Sequence, residues 1–249
     1  MGLATWKNSG GASISARSSE TVLTDYSQGL EVRAVSVGHA GATVLHGIEL
    51  DVRPGESVGL VGPNGVGKST LLWAIAGLLT PSQGTIRFGG TDLAGYPPER
   101  RRRVGIALLA EGRRIFPSLT VHETLTLAHR SMGLSRAQTR DAVAQCYEQF
   151  PSLARRHAIS AALMSGGEQQ MLCMAVALAS SPGLLLVDEP FMGLAPAVTA
   201  SLIDHFGNLV RAGVAMVMAD ESRTTLQRVG LDRIIDITKF GSGTRQGND

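Results

Sequence analysis

Apolar residues recur along this chain with two different periods, and the places where the period changes mark out its elements. Leu30-Glu31-Val32 and Ile48-Glu49-Leu50-Asp51-Val52 alternate apolar with polar, the period of two expected of half-buried antiparallel strands. Arg53-Pro54-Gly55-Glu56 reads as a turn, and Thr85 to Phe88 as another short strand bounded by glycines. Leu184-Leu185-Leu186-Val187 and Val214-Ala215-Met216-Val217-Met218 are continuous rather than alternating, which fits strands covered by helices on both faces of a parallel sheet. A helix over Val198 to Val210 joins them as a βαβ unit. Between roughly 120 and 180 the pattern turns helical, and three capping boxes punctuate it: Thr120-Val121-His122-Glu123, Ser135-Arg136-Ala137-Gln138 and Ser165-Gly166-Gly167-Glu168. The first helix carries Val121, Leu125 and Ala128 on one face, and the second ends near Phe150-Pro151. The third, through Met171 to Leu178, is apolar almost all round and is expected to be deeply buried. The fold class is α/β.

Gly62-Pro63-Asn64-Gly65-Val66-Gly67-Lys68-Ser69-Thr70 lies between the apolar run 57–61 and a helix-forming stretch that starts at Leu71. Strand, glycine-rich turn and helix is the context in which G-x-x-x-x-G-K-[ST] holds a nucleotide triphosphate. The glycines let successive N–H groups converge on a phosphate, and the new helix points its positive end there. Lys68 supplies charge for the β- and γ-phosphates, and Ser69 a hydroxyl for Mg²⁺. The chain has three lysines against twenty arginines, so composition does not explain a lysine in this slot.

Asp188 and Glu189 end the first continuous apolar run, and ligands of parallel sheets bind at the carboxyl ends of strands. Asp188 is placed to hold Mg²⁺ directly or through water, and Glu189 to orient an attacking water or take its proton. Ser165-Gly166-Gly167 exposes a second helix N-terminus with little side-chain cover. A monomer with one phosphate loop gains little from it. Two copies facing head to tail would sandwich each triphosphate between one loop and the other's Ser165 helix.

Composition narrows the picture. The 249 residues suffice for a substantial core, and a net charge of +2 is too balanced to argue for nucleic acid. Arg100 to Arg103 run consecutively, with Arg113 and Arg114 close behind; the run reads as a solvated face, or alternatively as a contact for an acidic loop or anionic lipid. Cys146 and Cys173 are isolated thiols without ligand spacing, as in a reducing, cytosolic setting. The longest apolar tract, Met171 to Val187, is broken by Ser180-Ser181-Pro182-Gly183, and the N-terminus lacks an apolar signal core. Any link to a membrane is therefore expected through a partner. Residues 1–28, rich in Ser, Gly and Thr, read as a disordered extension. The domain is expected over 29–236, its helical part over about 112–180, and a polar tail over 237–249.

The ordered set GPNGVGKST, MSGGEQQ and LLLVDEP resembles the ATP-binding subunit of an ABC transporter, over about residues 30–235. The segments 111–121, 167–172 and Gly193-Leu194-Ala195-Pro196 are similar to the second ATP-binding subunit of branched-chain amino-acid importers, and related importers of urea or short amides share these traits. The resemblance implies a P-loop NTPase core, a largely parallel sheet flanked by helices, with an antiparallel β subdomain and a helical subdomain. It implies ATP and Mg²⁺ as cofactors, a second and related cassette as partner, two membrane permease subunits and a separate substrate-binding protein. The location implied is the cytoplasmic face of the membrane, peripherally.

By the same resemblance Gly62 to Thr70 bind the phosphates, Ser69 and Asp188 the metal, and Glu189 is the catalytic base. Glu111 stands at a metal-contacting position, and the loop after it would sense a cytoplasmic helix of the membrane subunit. Ser165, Gly166 and Gly167 would contact the γ-phosphate bound by the partner, and Met192 to Ala195 would form a cross-dimer loop. A family member that joins two cassettes to act on ribosomes or DNA is disfavoured by the single phosphate loop.

Three positions depart from the family pattern. His39 stands where a tyrosine often stacks on adenine, which predicts weaker adenine affinity. Glu221 falls where a histidine or glutamine contacts the γ-phosphate. Ionised glutamate only accepts hydrogen bonds and repels phosphate, so hydrolysis at this chain's own loop is expected to be slow. Polar residues 241–249 replace the usual terminal strands and helix, an expectation of an incomplete C-terminal end.

Overall fold

The computed structural model describes residues 26–39 and 42–240. The expected disorder of residues 1–25 and the polar stretch 241–249 lie outside the described residues. In chain order the elements are β1 (Leu30–His39), β2 (Ala42–Val52), β3 (Ser57–Val61), α1 (Lys68–Ala76), β4 (Gln83–Phe88), β5 (Thr91–Asp92), α2 (Pro98–Arg103) and β6 (Ile106–Leu109). There follow α3 (Val121–Arg130), α4 (Arg136–Gln149), α5 (Pro151–Arg155), α6 (Gly166–Leu178), β7 (Leu184–Asp188), α7 (Pro196–Arg211), β8 (Ala215–Asp220), α8 (Arg223–Val229) and β9 (Arg233–Asp236).

The alternating segments form the antiparallel sheet, in the order β2-β1-β4-β5. Leu30 pairs with Val52 on one side and Phe88 on the other, and Val32 with Leu50 and Ile86. Ile48, Leu50 and Val52 point inward while Glu49 and Asp51 stay in solvent, as the period of two requires. The continuous runs form a parallel sheet in the order β6-β7-β8-β3-β9. Its two faces bury alternate residues into different cores. Leu184, Leu186, Ala215 and Val217 join α1 and the antiparallel sheet, whereas Leu185, Val187, Met216 and Met218 join α3 to α7. A strand buried on both faces has no polar position to offer, which is why these segments do not alternate. Each buried Leu or Val contributes about 1.5–3 kcal/mol.

All three capping boxes form, with Thr120, Ser135 and Ser165 each accepting from the backbone N–H three residues on. No helix among the described residues is long and apolar enough to cross a membrane.

Several expectations need correcting. The packed region begins before residue 29, because the Tyr26 ring lies 5.4 Å from Phe88. A Cβ at Gly105 would meet that ring's hydroxyl at 2.3 Å, so glycine leaves room for it. It also continues past 236, since Ile237 is 1% exposed at the start of a 3₁₀ turn, Ile237–Phe240. The arginine run is not a uniform solvated face. Arg100 and Arg103 are exposed, but Arg101 is buried and Arg102 half-buried. Both inner arginines are bonded to main-chain carbonyls.

Candidate functional site

Residues 62–67 connect the C-terminal end of β3 to α1. Gly65 and Gly67 take φ of +78° and +108°, values that L side chains adopt only under strain. Gly67 is the N-cap of α1 and offers no side-chain acceptor, so the first-turn N–H groups are left for a ligand. A Cβ at Gly67 would lie 2.6 Å from Leu45 Cδ2, which shows how closely β2 backs the loop. Pro63, Asn64 and Gly65 are exposed, whereas Gly62, Gly67, Lys68 and Thr70 are buried, with Val66 and Ser69 between.

Lys68 folds back over its own loop. Its Nζ donates to Gly62 O at 2.9 Å and Pro63 O at 3.3 Å and lies 3.4 Å from Glu189 Oε1. Ser69 Oγ donates to Asp188 Oδ1 at 3.1 Å. The other oxygen, Asp188 Oδ2, is buried and has no partner. Burial pushes the Asp188 carboxyl above its usual range, against the Ser69 bond; the Glu111 charge pushes it further, and Lys68 and Arg114 oppose.

Glu189 is also raised, first by burial, with Lys68 opposing and Glu111 and Glu221 adding to the rise. Its φ of +44° turns it sharply out of β7 while its N–H still donates to Ala219 O at 3.0 Å. Lys68, Ser69, Glu111, Asp188, Glu189 and Glu221 therefore act on one another within one site, although they come from four segments. Glu111 and Glu221 are exposed at its edge.

His39 ends β1, exposed, with its ring edge-on to Trp73 of α1 at 6.1 Å between centroids. Ser165 lies apart from the loop. Its Oγ caps α6, and its N–H donates to Glu168 Oε2 at 2.9 Å. No hydrogen bond or ion pair among the described residues joins Ser165, Gly166 or Gly167 to the phosphate loop of the same chain.

Sequence reasoning missed three contributors. Asp220 ends β8 beside Glu221 and is raised chiefly by burial. Trp73 is the partner of His39. Arg113, in the left-handed region at φ +46°, donates to Met192 O at 3.3 Å; a Cβ on Gly166 would touch its guanidinium at 2.6 Å. The sequence signal for Arg113 is the Arg113-Arg114 pair, which reads as a solvated face or as a contact for an acidic loop or anionic lipid.

Comparison with known proteins gives the family and the fold. The family model described as ABC transporter matches residues 45–192, more than half of the chain. The chain is 39% identical over 188 residues to BraG of Pseudomonas aeruginosa, a high-affinity branched-chain amino acid transport ATP-binding protein, covering 76% of this chain and 80% of that one. It is 34% identical over 171 residues to LivF of Archaeoglobus fulgidus, a probable branched-chain amino acid transport ATP-binding protein, covering 69% and 72%. A solved ATP-binding subunit of an ABC transporter aligns over 84% of this chain and 86% of its own, with TM-score 0.72 and 32% identity. A dimeric cassette in a post-hydrolysis state bound to ADP and Pi shares the fold at TM-score 0.74 and 23% identity, over 83% and 93%. With its phosphate loop, strand-end carboxylates and two-sheet architecture in one arrangement, the chain belongs to the ABC transporter family, as an ATP-binding cassette.

Proposed function

We propose that this cassette hydrolyses ATP to drive a membrane importer of branched-chain amino acids, working with a second, related cassette, two permease subunits and a separate substrate-binding protein. It would sit peripherally on the cytoplasmic face of the membrane. The observation that carries the reading is the convergence of Lys68, Ser69, Asp188 and Glu189, with Ser69 Oγ 3.1 Å from Asp188 and Lys68 Nζ 3.4 Å from Glu189. The cargo rests on similarity to the two transport proteins above, and importers of urea or short amides are the alternative.

In this reading the loop N–H groups from Gly62 to Thr70 cradle the phosphates, and Lys68 exchanges its carbonyl and Glu189 contacts for the β- and γ-phosphates. Mg²⁺ fits the residues present. Ser69 Oγ and Asp188 are hard oxygen donors, and Asp188 Oδ2 is a buried acceptor lacking a partner. Glu111 adds charge beside them. When bound, the ion would neutralise charge on the β- and γ-oxygens. Glu189, its proton affinity raised by burial, orients the attacking water and takes its proton. His39 stacks on adenine. Ser165, Gly166 and Gly167 cover the γ-phosphate held by the opposing cassette, so the competent unit is a pair of cassettes.

The test is ATPase activity of the purified transporter, reconstituted with its permeases. Glu189→Gln should lower turnover by about 100-fold or more. Equal rates would overturn the hydrolytic reading. Uptake of leucine, isoleucine or valine into loaded vesicles checks the cargo, and uptake of urea in their place would reassign it.

A second reading, a cassette that binds nucleotide but hydrolyses it weakly, draws on Glu221. Its charge reaches both Glu189 and Asp220. A carboxylate there opposes charge build-up on the γ-phosphate. Glu221→Gln should then accelerate hydrolysis; a rate no faster than the parent's refutes the electrostatic argument.

A further inference from the structure

The four consecutive arginines of α2 take no part in the nucleotide site, yet the middle two are drawn inward. Arg101 is 5% exposed and its guanidinium serves four main-chain carbonyls. Nη1 donates to Ala74 O at 2.7 Å and Ile75 O at 2.9 Å, Nη2 to Leu93 O at 3.0 Å and Nε to Tyr96 O at 3.0 Å. Ala74 and Ile75 lie in the last turn of α1, the helix that begins with Lys68. The next residue turns the other way: Arg102 Nη2 donates to Val176 O at 3.1 Å, in the last turn of α6. α6 is the helix that begins with Gly166 and Gly167. Ala74 O also accepts the Gly77 N–H at 3.2 Å and Val176 O the Ala179 N–H at 3.3 Å, so the arginines supply the second partner that these last-turn carbonyls can take, and the helix dipole favours a cation there. Two adjacent residues therefore cap the C-terminal ends of two helices whose N-terminal ends carry the phosphate loop and the Ser165 turn.

Arg102 also lines a cavity of about 280 Å³ between these helix ends, together with Leu78, Arg114, Cys173 and Val176. The buried His129 of α3, whose Nε2 has no partner, feels the Arg102 charge, so α3 meets the same junction.

We propose that Arg102 is a positioning residue that latches the end of α6 to α2, while Arg101 fixes α2 to α1, so that the pair sets the angle at which Ser165–Gly167 is presented. With 13 residues, α6 is about 20 Å long, and a tilt of about 5° at the latch moves its far end by about 2 Å. Displacements of about 1 Å cost on the order of 100-fold in rate. The consequence for turnover rests on the proposed role of Ser165–Gly167 as the cover of an opposing nucleotide; the latch itself does not.

The chain's two cysteines report on the latch separately from global stability. Cys173 lines the cavity beside Arg102, whereas Cys146 lies on α4. Both thiols are buried, with pKa values pushed up to about 11 for Cys173 and about 12 for Cys146, so both react slowly in the parent. The full chain is labelled with N-ethylmaleimide under native conditions and each cysteine peptide is followed by mass spectrometry. Arg102→Met removes a charged hydrogen bond and should speed Cys173 labelling about tenfold or more, leaving Cys146 unchanged. Arg102→Lys, which keeps a donor, should restore part of the protection, and Arg100→Met at the exposed neighbour should change nothing.

An unchanged Cys173 rate, or equal acceleration of both thiols, overturns the latch. In the reconstituted transporter Arg102→Met should lower kcat for ATP about tenfold or more with KM nearly constant. Faster Cys173 labelling with unaltered kcat refutes the lever to Ser165. Failure of the parent reading has a different signature, namely full activity in Glu189→Gln.

Discussion

Replacing Glu189 by glutamine should tighten nucleotide binding at the same time as it stops turnover. In the unliganded site Glu189 competes with phosphate for Lys68 and repels any anion that approaches. The Lys68–Glu189 pair is 3.4 Å apart, with side-chain exposures of 4% and 15%. At the effective dielectric of about 20 that suits such pairs, the Coulomb attraction is about 5 kcal/mol. Desolvation of both ions cancels most of it, and the Lys68 bonds to Gly62 O and Pro63 O survive the substitution. A net competition of about 1–2 kcal/mol remains, which corresponds to a nucleotide dissociation constant lowered about 5- to 30-fold.

Titration calorimetry of the full chain with Mg·ATP measures the affinity, and phosphate release from the reconstituted transporter measures the rate. Protonation should mimic the substitution. Because the Glu189 carboxyl is raised, chiefly by burial, it turns neutral as pH falls through that raised value. Affinity then rises and turnover drops together, and Glu189→Gln should flatten both trends. An unchanged or weaker affinity in the glutamine variant would show that the ion pair does not oppose the ligand and would refute the reasoning.

Asp188→Asn should stabilise the chain in the absence of nucleotide near pH 7, seen as a higher Tm. The sign follows from a raised folded-state pKa: the charged form is disfavoured in the fold, so stability is lost as pH rises through that value, and the gain should vanish towards about pH 4. The same variant should lose Mg²⁺-dependent protection by ATP in thermal scans. Gly65→Ala and Gly67→Ala separate strain from crowding. Both carry positive φ, but a Cβ at Gly65 meets nothing within 4 Å whereas one at Gly67 meets Leu45 at 2.6 Å. Urea unfolding should show about 1–2 kcal/mol lost at Gly65 and a further 1–3 kcal/mol or so at Gly67, and equal losses would contradict the packing argument. Arg101→Met leaves the buried Ile75 O and Tyr96 O without their side-chain donor, while Ala74 O and Leu93 O keep the Gly77 and Tyr96 N–H groups. It should cost about 3 kcal/mol or more by urea unfolding, against about 1 kcal/mol or less for Arg100→Met, which loses its stacking over the Tyr96 ring.

The parts of the site that were legible in the sequence are those whose chemistry is local. The phosphate loop, the three capping boxes and the Asp188-Glu189 pair each draw their geometry from residues within a few positions of one another. Strand patterning was equally direct, because period two and continuous burial leave different traces. What stayed hidden depends on partners distant in sequence. Arg101 is buried because the end of α1, 27 positions earlier, needs donors, and no local feature of Pro98 to Arg103 announces that. β6 is four residues long and follows Gly105, too short for a period to register, and it is recognised by its pairing with β7. The domain limits are wider than the sequence reading because Tyr26 sits in a polar stretch whose composition outweighs one buried ring, and Ile237 follows the last strand with only the short turn to Phe240 beyond it.

The charge distribution around Lys68 constrains how such a cassette can bind its ligand. Asp188, Glu189 and Asp220 are each raised chiefly by burial, and the Lys68 charge opposes that rise in all three. One ammonium thus offsets several carboxylates before a triphosphate with more negative charge arrives. Burial has already made those carboxylates costly to keep ionised, so the site reaches its favourable state when positive charge enters with the phosphates. ATP without a divalent cation should bind poorly, and Glu221 adds to the deficit at the edge of the site. In the proposed pairing the α6 N-terminus, where Gly166 and Gly167 add no side chains of their own, would bring positive potential to the nucleotide of the opposing cassette. On the proposed reading, pairing two cassettes would offset part of each loop's carboxylate charge from outside it.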